Sequence, residues 1–198
     1  MDTTRYAVGV LVVTFMPPGM LWWFLIHPFI GFWRRVGATV TLTVMGVIGV
    51  AGIAGLMTVR STIVGRDLGT HPAVFAAAGA LFVLQVVLAV QRKRQLPTRV
   101  LVGIPELTAD GGPGTLLTEG IYGRIRHPRY AEIAAGTLAM ALFSGYTGPL
   151  VVAAVTLPVL HLIVLLEERE LLARFGPEYE AYCARVPRYL PLRTRPRE

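Results

Sequence analysis

The stretch "GRIRHPRY", Gly123–Tyr130, sets three arginines, a histidine and a tyrosine directly before an apolar run that opens at Ala131. Guanidinium forks match carboxylate or phosphate, and an imidazole can donate, accept or carry charge. Pro128 biases His127 away from helical geometry and itself suits the first turn of a helix. Backbone N–H groups, an imidazole and Arg126 are thereby gathered at a helix N-terminus, where an anionic group is favoured. Plain anchoring at lipid headgroups is the alternative, and it suits Arg124 and Arg129 best.

A second set closes the apolar stretch that follows. Glu167–Glu168 ends "VLHLIVLL", and a carboxylate at the edge of hydrocarbon is costly without partners. Glu168 lies seven residues after His161, which puts both on one helix face and predicts a polar stripe. Glu170, Glu178 and Glu180 read as exposed helix-end acids. Arg185 and Arg188, three apart in "YCARVPRYLP", could grip a carboxylate, a phosphate or a phospholipid headgroup.

The elements that position these residues are apolar. The 198-residue chain is 54% hydrophobic and only 16% charged, against about 25% charged in soluble domains. Its apolar runs approach the ~20 residues that a membrane helix needs. They are Tyr6–Ile26, Val36–Val59, Pro72–Val90 and Ala131–Leu166. The fourth is too long for one crossing and is broken at "SGYTGP", Ser144–Pro149, so it reads as a helical hairpin. The expected architecture is an all-α polytopic bundle of five membrane helices, the last two a hairpin, with a cytoplasmic C-terminal pocket. Residues 1–198 form one integral membrane domain: three spans in 1–91, then a loop, the hairpin and a polar C-terminal part in 92–198. Pro17–Pro18 and Pro158 should kink their helices. The first run is long, proline-interrupted and without a small-residue cleavage site, so it reads as a true span.

With five spans, the first loop, the third loop and the C-terminal tail share a side that holds every Lys and Arg except Arg5, Arg60 and Arg66. That bias predicts an inner-membrane protein with a cytoplasmic C-terminus. It also accounts for the net charge of +7 without nucleic acid. Cys183 is the single cysteine, which excludes an internal disulfide, and the four histidines lack helical metal-ligand spacing. "ADGGPG", Ala109–Gly114, reads as a flexible link. After it, "EERELLARFGPEYEAYCARVPRYLP" continues the last span, breaks at Gly176–Pro177 and forms a short helix with Tyr179, Tyr182 and Val186 on one stripe.

Together the two segments resemble the isoprenylcysteine carboxyl methyltransferase family, to which phospholipid N-methyltransferases are related. Its pattern G-x-Y-x-x-x-R-H-P-x-Y is met at Gly120–Tyr130. Further on, E-E-x-x-L-x-x-x-F-G-x-x-Y-x-x-Y is met at Glu167–Tyr182 and V-P-x-x-x-P at Val186–Pro191. The resemblance covers Gly120–Pro191, and the first three spans match only as hydrophobic helices. It implies S-adenosylmethionine held near the C-terminal part by Tyr122, Arg126, His127, Pro128, Tyr130, Glu168 and Tyr179. It also implies a lipid-like acceptor from the bilayer; Glu167, Arg185 and Arg188 are the candidates toward the reaction. On chemical grounds Arg126 or a backbone N–H could take the cofactor's carboxylate, Glu168 its ammonium or ribose, and Pro128 and Tyr130 could flank its adenine. Arg185 or Arg188 could orient an acidic acceptor. The chain departs from many relatives in lacking an arginine one turn before the acidic pair, where "LIVLL" stands. Membrane sterol reductases, which bind NADPH, have a similar C-terminal half; they usually carry an arginine where Leu166 stands and have more spans. A non-enzymatic lipid-binding bundle is a third reading, which explains the spans but not the clustered motif residues.

Overall fold

Proline and glycine set most of the helix boundaries. The structure is a computed structural model that describes residues 3–26, 29–95 and 115–191. The link at 109–114 and Arg99, Arg193, Arg195 and Arg197 lie outside the described residues. The helices are α1 (Thr3–Ile26), α2 (Ile30–Val36), α3 (Ala38–Thr58), α4 (Arg60–Val64), α5 (Pro72–Lys93), α6 (Pro128–Ser144), α7 (Thr147–Phe175) and α8 (Pro177–Arg185). Pro72, Pro128 and Pro177 each stand at the first helical position, where the missing N–H costs nothing. Gly145, at φ +66°, ends α6 in the left-handed conformation and opens the hairpin turn. α1 runs through Pro17–Pro18, and α7 through Pro158, without a break.

The protein is an all-α polytopic bundle, as expected. α1, α3, α5 and α7 are long and apolar enough to cross a membrane. α6 has 17 residues, about 26 Å at 1.5 Å per residue, the lower limit for a crossing. Its contacts nevertheless carry it from one end of the bundle to the other. Glu132 in its first turns meets Arg92 at the C-terminal end of α5, and Gly145 just past its last turn accepts from Leu68 N–H, beside Arg5 near the start of α1.

α6 is the centre of the bundle and packs on α5, α7 and α1. Lipid tails are as apolar as any side chain, so close packing replaces the hydrophobic effect between such helices. The α6 interface is accordingly small: Ala135, Gly136, Ala139 and Ala141 are buried. A Cβ on Gly136 would come within 3.1 Å of the Gln85 side chain on α5. Toward α1, Thr137 Oγ1 donates to Met16 Sδ at 3.3 Å. α3 and α5 turn valines outward, Val47 at 64% and Val83 at 61% exposure, as helices do when hydrocarbon is the solvent.

One end of the bundle is pinned by a buried cation. Arg5, 7% exposed, pairs with Asp67 at 2.6 Å and donates to Gly69 O at 3.1 Å. Leu68 N–H and Gly145 O, with Thr147 N–H and Arg66 O, tie the α4–α5 loop to the hairpin turn. Gly148 lies directly against the Ile63 carbonyl, and a Cβ there would collide with that oxygen. Gly148→Ala should therefore force α4 off α7 and cost about 1–3 kcal/mol. The thermal midpoint in detergent is the check, with Gly46→Ala, which meets open space, as the neutral control.

Candidate functional site

The opposite end is built by three pieces of chain meeting above α6. The segment before α6 is held by Ile121 and Ile125, which pack on Leu88 of α5. Gly120 makes this approach possible: its φ is +56° and the Gln95 side chain fills the place of a Cβ. On the other side α8 lays Tyr179, Tyr182 and Val186 onto Leu171, Phe175 and Leu116, the stripe expected from their spacing. The Tyr182 hydroxyl donates to Tyr122 O at 2.7 Å and joins α8 to the segment.

Arg126 locks the pieces together. Its Nη1 donates to Cys183 O and Val186 O, both at 2.8 Å, satisfying carbonyls that the end of α8 leaves open. Its Nε and Nη2 reach Glu168 Oε1 at 3.3 Å and 3.0 Å. Along the backbone, Arg126 N–H donates to Pro187 O and His127 N–H to Arg188 O.

Glu168, with its side chain 13% exposed, holds three cationic or protonatable partners. Besides Arg126, its Oε1 meets His127 Nε2 and Arg188 Nε, both at 3.0 Å. Its Oε2 accepts from Arg188 Nη2 at 2.5 Å. That charge-assisted bond keeps the Arg188 guanidinium protonated, above its ordinary pKa. Glu167 points to another flank. Its carboxylate faces the Tyr130 hydroxyl, and its buried Oε2 lies 3.7 Å from His127 Nδ1 with no hydrogen-bond partner among the described residues. His127 thus stands between two carboxylates.

A groove of about 350 Å³ opens beside Glu168, between the end of α7 and α8. Leu165 and Leu172 form apolar wall, and Glu168, Arg169, Tyr179 and Cys183 supply the polar groups. The Tyr179 hydroxyl is buried without a hydrogen-bond partner among the described residues. Burial raises the phenols of Tyr179 and Tyr182, and carries Tyr122 up to about 12. These tyrosines are therefore protonated at neutral pH, suited to donating hydrogen bonds and not to acting as bases.

Of the residues singled out from the sequence, Arg126, His127, Glu168 and Arg188 come together in one cluster, Tyr179 lines the groove, and Tyr122 joins through its carbonyl. Pro128 and Tyr130 lie elsewhere: both are buried, Tyr130 in the core with Leu160, Ile163 and Val164, and neither lines the groove. The Arg126 guanidinium and the Arg126 and His127 N–H groups, offered above for an incoming carboxylate, are already hydrogen-bonded within the protein. Arg185 is exposed, outside the cluster, with Nε donating to Ala181 O at 3.2 Å. His161 does not extend the stripe to Glu168; its Nδ1 bonds the Tyr189 hydroxyl at 2.9 Å.

Two ion pairs are not legible in the sequence motifs, Arg5–Asp67 and a second on α6. Arg92, 5% exposed, grips Glu132 with Nε at 2.6 Å and Nη2 at 3.2 Å. By sequence Arg92 is one of the basic residues of the third loop. The signal was Glu132 itself, a lone acid inside an apolar helix, which demands a cation on a neighbouring one.

Fold and site thus describe a polytopic membrane protein with a charged cap at one end. Residues 73–178, more than half of the chain, match the family model for phospholipid methyltransferases, and the chain belongs to this family of membrane methyltransferases. No curated protein and no solved structure matches the chain. The matched segment starts earlier than the resemblance at Gly120 and takes in α5 with Arg92. It includes Arg126, His127, Glu167 and Glu168, and stops before Tyr179.

Arg126 is the residue whose loss should undo the cap. Arg126→Ala leaves Glu168 short of a partner and two carbonyls bare, an expected cost of about 3–5 kcal/mol for breaking a buried pair. Limited trypsin digestion should then cut after Arg185 and Arg188 faster than in the native protein. Arg126→Lys should restore little, because an ammonium cannot serve both the carboxylate and the α8 carbonyls.

Proposed function

We propose that this protein transfers a methyl group from S-adenosylmethionine to a lipid or isoprenoid-type acceptor, at the cytoplasmic face of the inner membrane. The observation that carries this reading is Glu168: a carboxylate at the end of a membrane helix, fixed by Arg126 and His127 and opening on a groove of suitable size. Pockets of roughly 300–1,000 Å³ take small-molecule ligands. The donor set fits the cofactor's parts. Glu168 would hold its ammonium or ribose hydroxyls, the unpartnered Tyr179 hydroxyl would donate to it, and Leu165 and Leu172 offer surface for its adenine.

When bound, the cofactor supplies an electrophilic methyl on a sulfonium. The protein's part in an in-line displacement is alignment and exclusion of water. Arg126 does the aligning by holding Glu168 and α8 in one geometry. Tyr179, Tyr182 and Val186 close the cap over apolar neighbours. Glu167 serves the acceptor's side. It turns from the groove toward α6 and α1, where Tyr130 packs with Trp23 and Phe24, and its unpartnered oxygen suits a proton-bearing headgroup. A carboxylate or thiolate acceptor would need no base, and an amine would have Glu167 to receive its proton. The cytoplasmic placement rests on the basic residues around this cap, opposite Arg5, Arg60 and Arg66.

Titration of the purified protein with S-adenosylhomocysteine and with NADPH tests the reading. S-adenosylhomocysteine should bind and NADPH should not. Glu168→Gln should weaken binding about 10–100-fold, the value of a hydrogen bond to a charged group. NADPH binding with no response to S-adenosylhomocysteine would overturn the proposal in favour of a reductase. Incubating a lipid extract with radiolabelled S-adenosylmethionine would identify the acceptor.

A further inference from the structure

Resting on that reading, we propose that Arg188 is an internal competitor: it occupies on Glu168 the seat that the donor's ammonium takes, so the tail must release its guanidinium before cofactor binds. The three partners of Glu168 are not equivalent. Arg126 is committed to α8 by two further bonds and its side chain is 10% exposed. His127 is 4% exposed and sits between Glu167 and Glu168. Arg188 lies beyond α8 on the tail, and its side chain is 34% exposed. It is the partner that can leave.

Its departure would leave the site intact. The tail is held by backbone bonds from Arg126 and His127 to Pro187 O and Arg188 O, and by Tyr189 on His161. None of these uses the Arg188 side chain, so the guanidinium can swing out while the tail stays docked. Oε1 is shared with Arg126 and His127, whereas Oε2 is taken by Arg188 Nη2 at 2.5 Å. Removing Arg188 therefore frees Oε2, the oxygen best able to receive an ammonium. Charge points the same way: with two guanidiniums already on one carboxylate, a further cation would be repelled unless one left. An arginine that stayed to grip the donor's carboxylate would be a ligand, with opposite consequences.

The test is titration of the full-length protein in lipid nanodiscs with S-adenosylhomocysteine, for the native chain, Arg188→Gln and Arg188→Lys, with the thermal midpoint of each as a folding control. A competitor that is closed most of the time lowers apparent affinity by the open fraction. Arg188→Gln should thus bind about tenfold more tightly than the native protein. Arg188→Lys, which keeps the charge but loses the fork, should fall between them and keeps the test alive if the glutamine variant is unstable. Unchanged or weaker binding in both variants, with the native protein binding, would overturn the competitor and leave the methyltransferase reading standing. No binding by any of the three would sink both.

Discussion

Glu168 is where the described C-terminal third converges, and the cost of burying it explains what surrounds it. A carboxylate taken from water loses several kcal/mol of solvation, which one partner in imperfect geometry does not restore. Here the compensation comes from groups that have other duties. Arg126 also caps α8, and His127 also stands at the first turn of α6. The ion cluster is thus the joint between the long apolar helices and the C-terminal cap, and α8 has its place because Arg126 must reach both Glu168 and the Cys183 and Val186 carbonyls. Arg188 adds a second guanidinium from the chain's last described segment.

The membrane part obeys a different rule. Hydrocarbon gives helices no reason to associate, so α6 relies on alanines and a glycine to approach α5 closely, and on hydrogen bonds such as Thr137 to Met16. Buried arginines near the two ends of the bundle are paired: Arg92 with Glu132, Arg5 with Asp67. Glu167 Oε2 is one of several buried polar atoms without a hydrogen-bond partner among the described residues, with Arg5 Nε and Arg92 Nη1.

Hydrophobic runs and breaker residues made the helices legible in the sequence: Ser144–Pro149 marked the hairpin turn, Gly176–Pro177 the α7–α8 joint, and the Tyr179, Tyr182, Val186 stripe the buried face of α8. The grouping of Arg126 and His127 with Glu168 was legible only because two motifs were read together, since no spacing rule links residues 42 and 41 apart. What stayed hidden was direction. Adjacent Glu167 and Glu168 differ by about 100° around the helix, enough to send one to the groove and the other to Tyr130. Arg185 and Arg188 looked equivalent, but α8 ends at Arg185, and the extended turn at Val186 carries Arg188 back across to Glu168. The position of Pro128 and Tyr130 within the core depends on α7 packing against α6, which no local pattern encodes.

The buried ion pairs also mark the two ends of α6. Arg5–Asp67 lies at one end of it, and Arg92–Glu132 and the Glu168 cluster lie at the other. Charges resist entering hydrocarbon, so the two planes bracket an apolar belt shorter than α6: Glu132 and Gly145 are 13 residues, about 20 Å, apart. α7 begins with α6's turn and has 29 residues; it must therefore project about 15 Å or more past the belt. That projection carries Glu168 to the belt's edge and the Leu171–Phe175 stretch beyond it, where α8 can pack. The excess length of one helix over its hairpin partner is what carries the charged cap beyond the end of α6.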